Sequence, residues 1–184
     1  MNIAKPIFVT TLLLAASVLL AAQRRDPLTD VESDQLREVA QEPLLRLPLM
    51  VRFARARLTS LEQAHADPTL EDKNQKIHEL LDDFRTLIDE IDDNIDDYNS
   101  RHLDLRKPLK LVIEGETEFQ NRLRTFKEAT AKDETSAARE YGFALQDAIE
   151  AVNLSVDDAR KLLEEQTESM KAKEKHEKEK EKNR

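Results

Sequence analysis

Residues 77–130 read IHELLDDFRTLIDEIDDNIDDYNSRHLDLRKPLKLVIEGETEFQNRLRTFKEAT. Ile77, Phe84, Ile91, Tyr98, Leu105, Val112, Phe119 and Phe126 recur at every seventh position. Leu81, Ile88, Ile95, His102, Leu109, Glu116, Leu123 and Thr130 fill the position four residues after each. Apolar residues repeating in this way form the seam along which helices pack. The stretch therefore predicts an all-α fold, an elongated antiparallel helical bundle with a coiled-coil-like heptad seam. Because the phase passes through Pro108 unbroken, it predicts one kinked helix from about Glu71 to about Ala129, ~90 Å long at the α-helical rise. Two shorter helices would cover its halves, leaving the seam least protected near Ile91 to Tyr98. The alternative is a compact four-helix bundle with a reversal at Pro108, since an internal proline removes the bond to the carbonyl of Asp104 and disfavours helix at Lys107.

Working outward from this seam, Thr69-x-x-Asp72 resembles a capping signal for its helix. Upstream, Leu47, Met50, Val51, Ala54, Leu58, Leu61 and His65 recur at three- and four-residue steps and define an amphipathic helix that ends near Asp67-Pro68. Pro43 or Pro48 suits its first turn, where a missing N–H costs nothing. Before it, Thr29-Asp30-Val31-Glu32 is a capping box for a short first helix. Downstream, Asp133 is placed to cap a last helix, with Tyr141, Leu145, Ala148, Ile149, Val152, Val156, Ala159, Leu162, Leu163 and Gln166 along one stripe.

The chain of 184 residues divides into a leader (1–22), one helical domain (23–170) and a Lys/Glu-rich extension (171–184). With two glycines, no tryptophan and few aromatics, the composition lacks what a sheet requires. The absence of cysteine excludes disulfides, thiol catalysis and cysteine-ligated zinc. A net charge of −9 argues against nucleic acid and anionic lipid as partners of the body. In residues 1–22, Lys5 precedes an uncharged, mostly apolar run from Ile7 to Ala22 that is too short for a spanning helix. This predicts export to the periplasm or beyond. A cleaved signal peptide is expected, with an uncleaved N-terminal membrane anchor as the alternative.

The residues capable of chemistry form few constellations. Glu62-Gln63-Ala64-His65 matches once the Glu-x-x-His spacing that di-iron bundles need twice. A looser metal site would require His78 to fold back beside Glu62 and His65. The pairs Asp82-Asp83, Asp89-Glu90, Asp92-Asp93 and Asp96-Asp97 lack the glycine of a calcium loop. They read as a solvated face or as partners for Arg52, Arg55 and Arg57 of the preceding helix. His102 and Glu116 are polar occupants of the seam, too far apart on one helix to share a ligand, and polar seam residues set register or oligomeric state. No Gly-x-Ser-x-Gly or phosphate-cradling loop is present. The segment Leu58-Thr59-Ser60-Leu61-Glu62-Gln63 is similar to the Leu-Thr-x-x-Gln signature of periplasmic helical stress and metal-resistance proteins. It departs from that signature by placing Glu62 where glutamine stands, and no residue role carries over.

The sequence thus assigns no catalytic residue, no cofactor-binding residue and no metal ligand. It points to an exported, non-enzymatic interaction or scaffold protein of the cell envelope, with a protein partner or a homo-oligomer engaged through helical seams and no nucleic acid. The alternative is a periplasmic bundle that binds a metal ion or small ligand. The extension after Met170, with seven basic and four acidic residues, reads as a solvated helix held by Glu–Lys pairs.

Overall fold

A computed structural model of the chain describes residues 26–131 and 136–182, and these are all-helical. The leader and the expected cap at Asp133 lie outside the described residues. Helix α1 (Asp30–Glu38) begins where the capping box places it. Thr29 Oγ1 accepts the Glu32 N–H at 3.2 Å and Glu32 Oε2 accepts the Thr29 N–H at 2.8 Å, so two otherwise orphaned donors are satisfied. Helix α2 (Pro43–Ala66) takes Pro43, not Pro48, into its first turn. Helix α3 (Lys73–Ser100) follows Asp72, which sits in the left-handed region at φ 51°. Thr69 does not cap it: its N–H and hydroxyl both donate to Asp67 Oδ1, at 2.8 and 2.7 Å. Helices α4 (Arg106–Thr130) and α5 (Ser136–Lys182) complete the chain.

Helix α2 packs against α3 and α4, and α5 packs against the same two, so α3 and α4 are consecutive in sequence but diagonal in the bundle. Across that diagonal, Phe84 and Phe119 meet edge to face at 5.4 Å between centroids. At one side α4 comes so close to α2 that only Gly115 fits against Val51.

The single long helix through Pro108 is therefore corrected: the chain reverses over residues 101–105. Its device needs no glycine. The His102 N–H donates to the Asn99 carbonyl at 2.9 Å and the Leu103 N–H to the Tyr98 carbonyl at 3.1 Å, with His102 at φ 59°. These two bonds and one left-handed residue are the Schellman termination, here built on histidine. Pro108 then falls in the first turn of α4, where its missing N–H is harmless.

The heptad seam is the core. All eight residues of the first seam series are buried. So are all of the second series except His102, which is exposed in the reversal. The expected weak point is closed too: Ile91, Ile95 and Tyr98 are buried, and the Tyr98 hydroxyl donates to the Ala40 carbonyl at 2.8 Å. From α5, Tyr141, Leu145, Ala148, Val152, Val156 and Ala159 enter the same core. Helix α5, at 47 residues, outruns the bundle, and residues 171–182 are exposed on every side.

Candidate functional site

Two of the buried polar side chains, Glu116 and Ser155, meet inside the bundle, and sequence reasoning passed over Ser155. Its position on α5 falls between Leu154 and Val156 and next to the apolar stripe, which turns it inward to become almost fully buried. Ser155 Oγ stands 2.7 Å from Glu116 Oε1 of α4 and 2.6 Å from Asp92 Oδ1 of α3. Three helices thus converge on one hydroxyl. Glu116 has no solvent exposure, and its Oε2 is buried without a hydrogen-bond partner among the described residues.

The electrostatics follow from this placement. Burial pushes the Glu116 carboxyl up to about 8; the Ser155 hydrogen bond and Arg160 pull it down, and the charge of Asp92 pushes it further up. Burial also raises Asp92, to about 6, against the Ser155 hydrogen bond and with the help of Asp89, Asp158 and Asp96. Asp92 lines an open groove of about 240 Å³ together with Asp96, Asn99, Asp158, Lys161 and Glu165. The cluster therefore runs from a buried carboxyl through a hydroxyl to a carboxyl at the solvent edge.

A second polar junction, also missed from sequence, closes the reversal. Gln166 Oε1 accepts the Leu105 N–H at 2.8 Å, while its Nε2 donates to Asn99 Oδ1 at 3.1 Å and to the Leu103 carbonyl at 3.2 Å. Its place at the end of the α5 stripe was legible in the sequence, but its role was not.

The other candidates are dispersed. Arg122 claims Glu62 with two bonds of 2.8 Å, His65 packs edge-on against Phe126 at 5.1 Å, and His78 pairs with Asp82 one turn on. Among the described residues no three His, Asp or Glu side chains are grouped to hold a metal ion. The acidic pairs of α3 do not serve Arg52, Arg55 or Arg57 of α2, although Arg46 acts on Glu90. Arg57 pairs with Glu32 at 2.5 Å, Arg55 with Glu118 at 2.9 Å, and Arg52 donates to Gln35 at 3.0 Å. The reason is orientation: these arginines point to α1 and α4, while Asp89 and Asp97 pair with Arg85 and Arg101 within or at the end of α3. His102 and Glu116 stay apart, one in the reversal and the other ~15 Å up α4 at the helical rise.

Beside Arg122, the ends of α2 and α4 leave a groove of about 340 Å³ lined by Glu62, His65, Asn121, Thr125, Phe126 and Ala129. No protein family, curated protein or solved structure matches the chain.

Proposed function

We propose that the protein is an exported, non-enzymatic interaction or scaffold protein of the cell envelope, working through its helical surfaces. The observation that carries this reading is the overrun of α5. A helix of about 12 exposed residues is marginal alone in water, since most helical stability in proteins comes from packing one face. Residues 171–182 continue α5 exposed to solvent; Lys173 and Glu174 lie beside the α3–α4 reversal, and Lys171, Lys175, Lys178 and Lys182 line one side. On the outer surface of α5, Phe143 is 85% exposed and Leu154 60% exposed. A long helix with a solvent-exposed end and apolar side chains along its exterior is suited to pairing with another helix. Export is supported by the charged start and short apolar run of residues 1–22. Crosslinking in the native envelope followed by mass spectrometry tests the reading. Crosslinks from α5 to one specific protein or to a second copy are expected, and a protein crosslinked only within itself would refute it.

The groove between Glu62, His65, Arg122 and Phe126 favours the second reading, a periplasmic bundle that binds a metal ion or small ligand. It holds one imidazole, one carboxylate already paired, and apolar walls. Calorimetry with zinc or copper decides it: heat lost in H65A supports this reading, and no heat removes metal binding.

A further inference from the structure

We propose that Glu116, Ser155 and Asp92 hold one shared proton in the neutral fold, and that loss of this proton loosens the packing of α3 and α4 on α5. A serine hydroxyl carries one hydrogen, so it can donate to one acceptor only. Yet two carboxyl oxygens stand 2.6 and 2.7 Å from Ser155 Oγ. Both contacts are hydrogen bonds only if one carboxyl is itself protonated and donates to Oγ. Two ionised carboxylates would leave one oxygen pressed against oxygen with no hydrogen between them.

Burial selects which carboxyl carries the proton. Glu116 is fully enclosed, with Oε2 lacking a donor among the described residues, whereas Asp92 reaches the edge of an open groove. A buried carboxylate without paired charge is costly, so the neutral form belongs on Glu116. The arrangement at neutral pH is then Glu116 Oε1–H donating to Ser155 Oγ, and Ser155 Oγ–H donating to ionised Asp92. The raised titration of Glu116 agrees with this order.

The charged groups around the triad do not replace the proton. On α3, Asp89 and Asp96 add negative charge beside Asp92, and on α5 Asp158 does the same. Arg160 of α5 is the cation that acts on Glu116, and its guanidinium is also bonded to Asp157 and to Thr117. On α2, Arg55 is engaged by Glu118 on another face of α4.

The proton can leave along the same bonds. Asp92 takes the Ser155 hydrogen, Ser155 takes the Glu116 hydrogen, and Asp92 releases its proton to the groove. Glu116 is left ionised inside the core, facing Asp92 across a hydroxyl that can serve only one of them. The native state then binds more protons than the unfolded chain through the neutral range. Stability falls as pH rises and levels off once Glu116 has ionised, at about 8.

The experiment uses the full chain. Infrared spectra across neutral to alkaline pH read the protonated carboxyl directly, and hydrogen exchange reads the looseness of residues near 92, 116 and 155. The wild type should show a protonated-carboxyl band at neutral pH that vanishes on the alkaline side and is absent in E116Q. Up to about pH 8 the opening constant of the wild type should rise by up to tenfold per pH unit, the slope of one proton, and level off as the band is lost. E116Q should show no such rise, because its amide donates the same hydrogen bond at every pH. A wild type without the band at neutral pH would overturn the shared proton, whether or not E116Q folds. A wild-type opening constant that does not rise with pH on the acid side of the band's loss would overturn the loosening.

Discussion

Gln166, near the end of the packed part of α5, accepts the backbone N–H of Leu105 in the reversal between α3 and α4, at 2.8 Å. Leu105 is fully buried, so water cannot replace this acceptor. With the same side chain donating to Asn99 and Leu103, one residue satisfies both ends of the turn. Q166A should therefore destabilise the protein by about 2 kcal/mol, the cost of leaving a buried backbone donor unpaired. Denaturant unfolding measures the loss, and the Leu105 amide should be the first to lose hydrogen-exchange protection. A cost below about 0.5 kcal/mol, the range of ordinary surface substitutions, would mean that the turn is held by other contacts.

The reversal makes a prediction whose sign is diagnostic. His102 lies at φ 59°, where a residue with a Cβ is strained by roughly 1 kcal/mol and glycine is not. H102G should leave stability unchanged or raise it by up to about 1 kcal/mol, because relief of strain offsets the added freedom of the unfolded chain. In a helix running unbroken through this point, the same glycine would cost about 1 kcal/mol. Thermal melts of the two proteins distinguish these outcomes.

At the α2–α4 contact, a Cβ on Gly115 would stand closer to Val51 Cγ1 than real side-chain carbons do. Valine is stiff at χ1, so the helices must separate. G115A gains up to about 1 kcal/mol of helix propensity but should still be destabilising by about 1 kcal/mol net, as overpacking costs 1–3. V51A should soften that penalty, and a double-mutant cycle would record the coupling. Additive effects would place the two residues out of contact.

Acid should release α1. Burial disfavours the charge on Glu32, but hydrogen bonds from Arg57 and Thr29 outweigh it and hold the carboxyl below its ordinary value. The Arg55 hydrogen bond holds Glu118 low in the same way, against burial. Groups lowered in the folded state contribute stability that is present above the unfolded value and lost as pH falls through the folded one. In E32Q this acid-sensitive component should be smaller. R57A should cost about 2 kcal/mol near neutrality, because it removes charge-assisted bonds to Glu32 and the bonds to the Pro27 carbonyl. Exchange of amides in residues 30–38 would report the detachment, and unchanged protection there in R57A would contradict the anchor.

The sequence announced its core better than its path. Seam residues from Ile77 to Thr130 are buried because each helix turns one apolar stripe inward, and periodicity reads that stripe directly. The reversal was legible only as the alternative reading at Pro108, because α3 and α4 face the same core from opposite corners and the five intervening residues preserve the phase. A glycine would have betrayed the turn, but His102 takes its place. Glu116 was visible as a polar seam position, whereas its partners were not. Asp92 sits in a run of carboxylates, most of which face solvent, and Ser155 has no local signal. Only the packing of three helices brings them together. Arg52, Arg55 and Arg57 of α2 were offered as one possible set of partners for the acidic pairs of α3, but their orientation gives them to α1 and α4.

By the proposed function, the overrunning end of α5 engages another helix. This is tested most directly by crosslinking the full chain and a version ending at Met170 in the native envelope. Both forms should have the same folded body, with intermolecular crosslinks from Lys171, Lys175, Lys178 and Lys182 in the full chain and loss of the crosslinked species on truncation. Equal crosslinking of the two forms, or none in either, would contradict it.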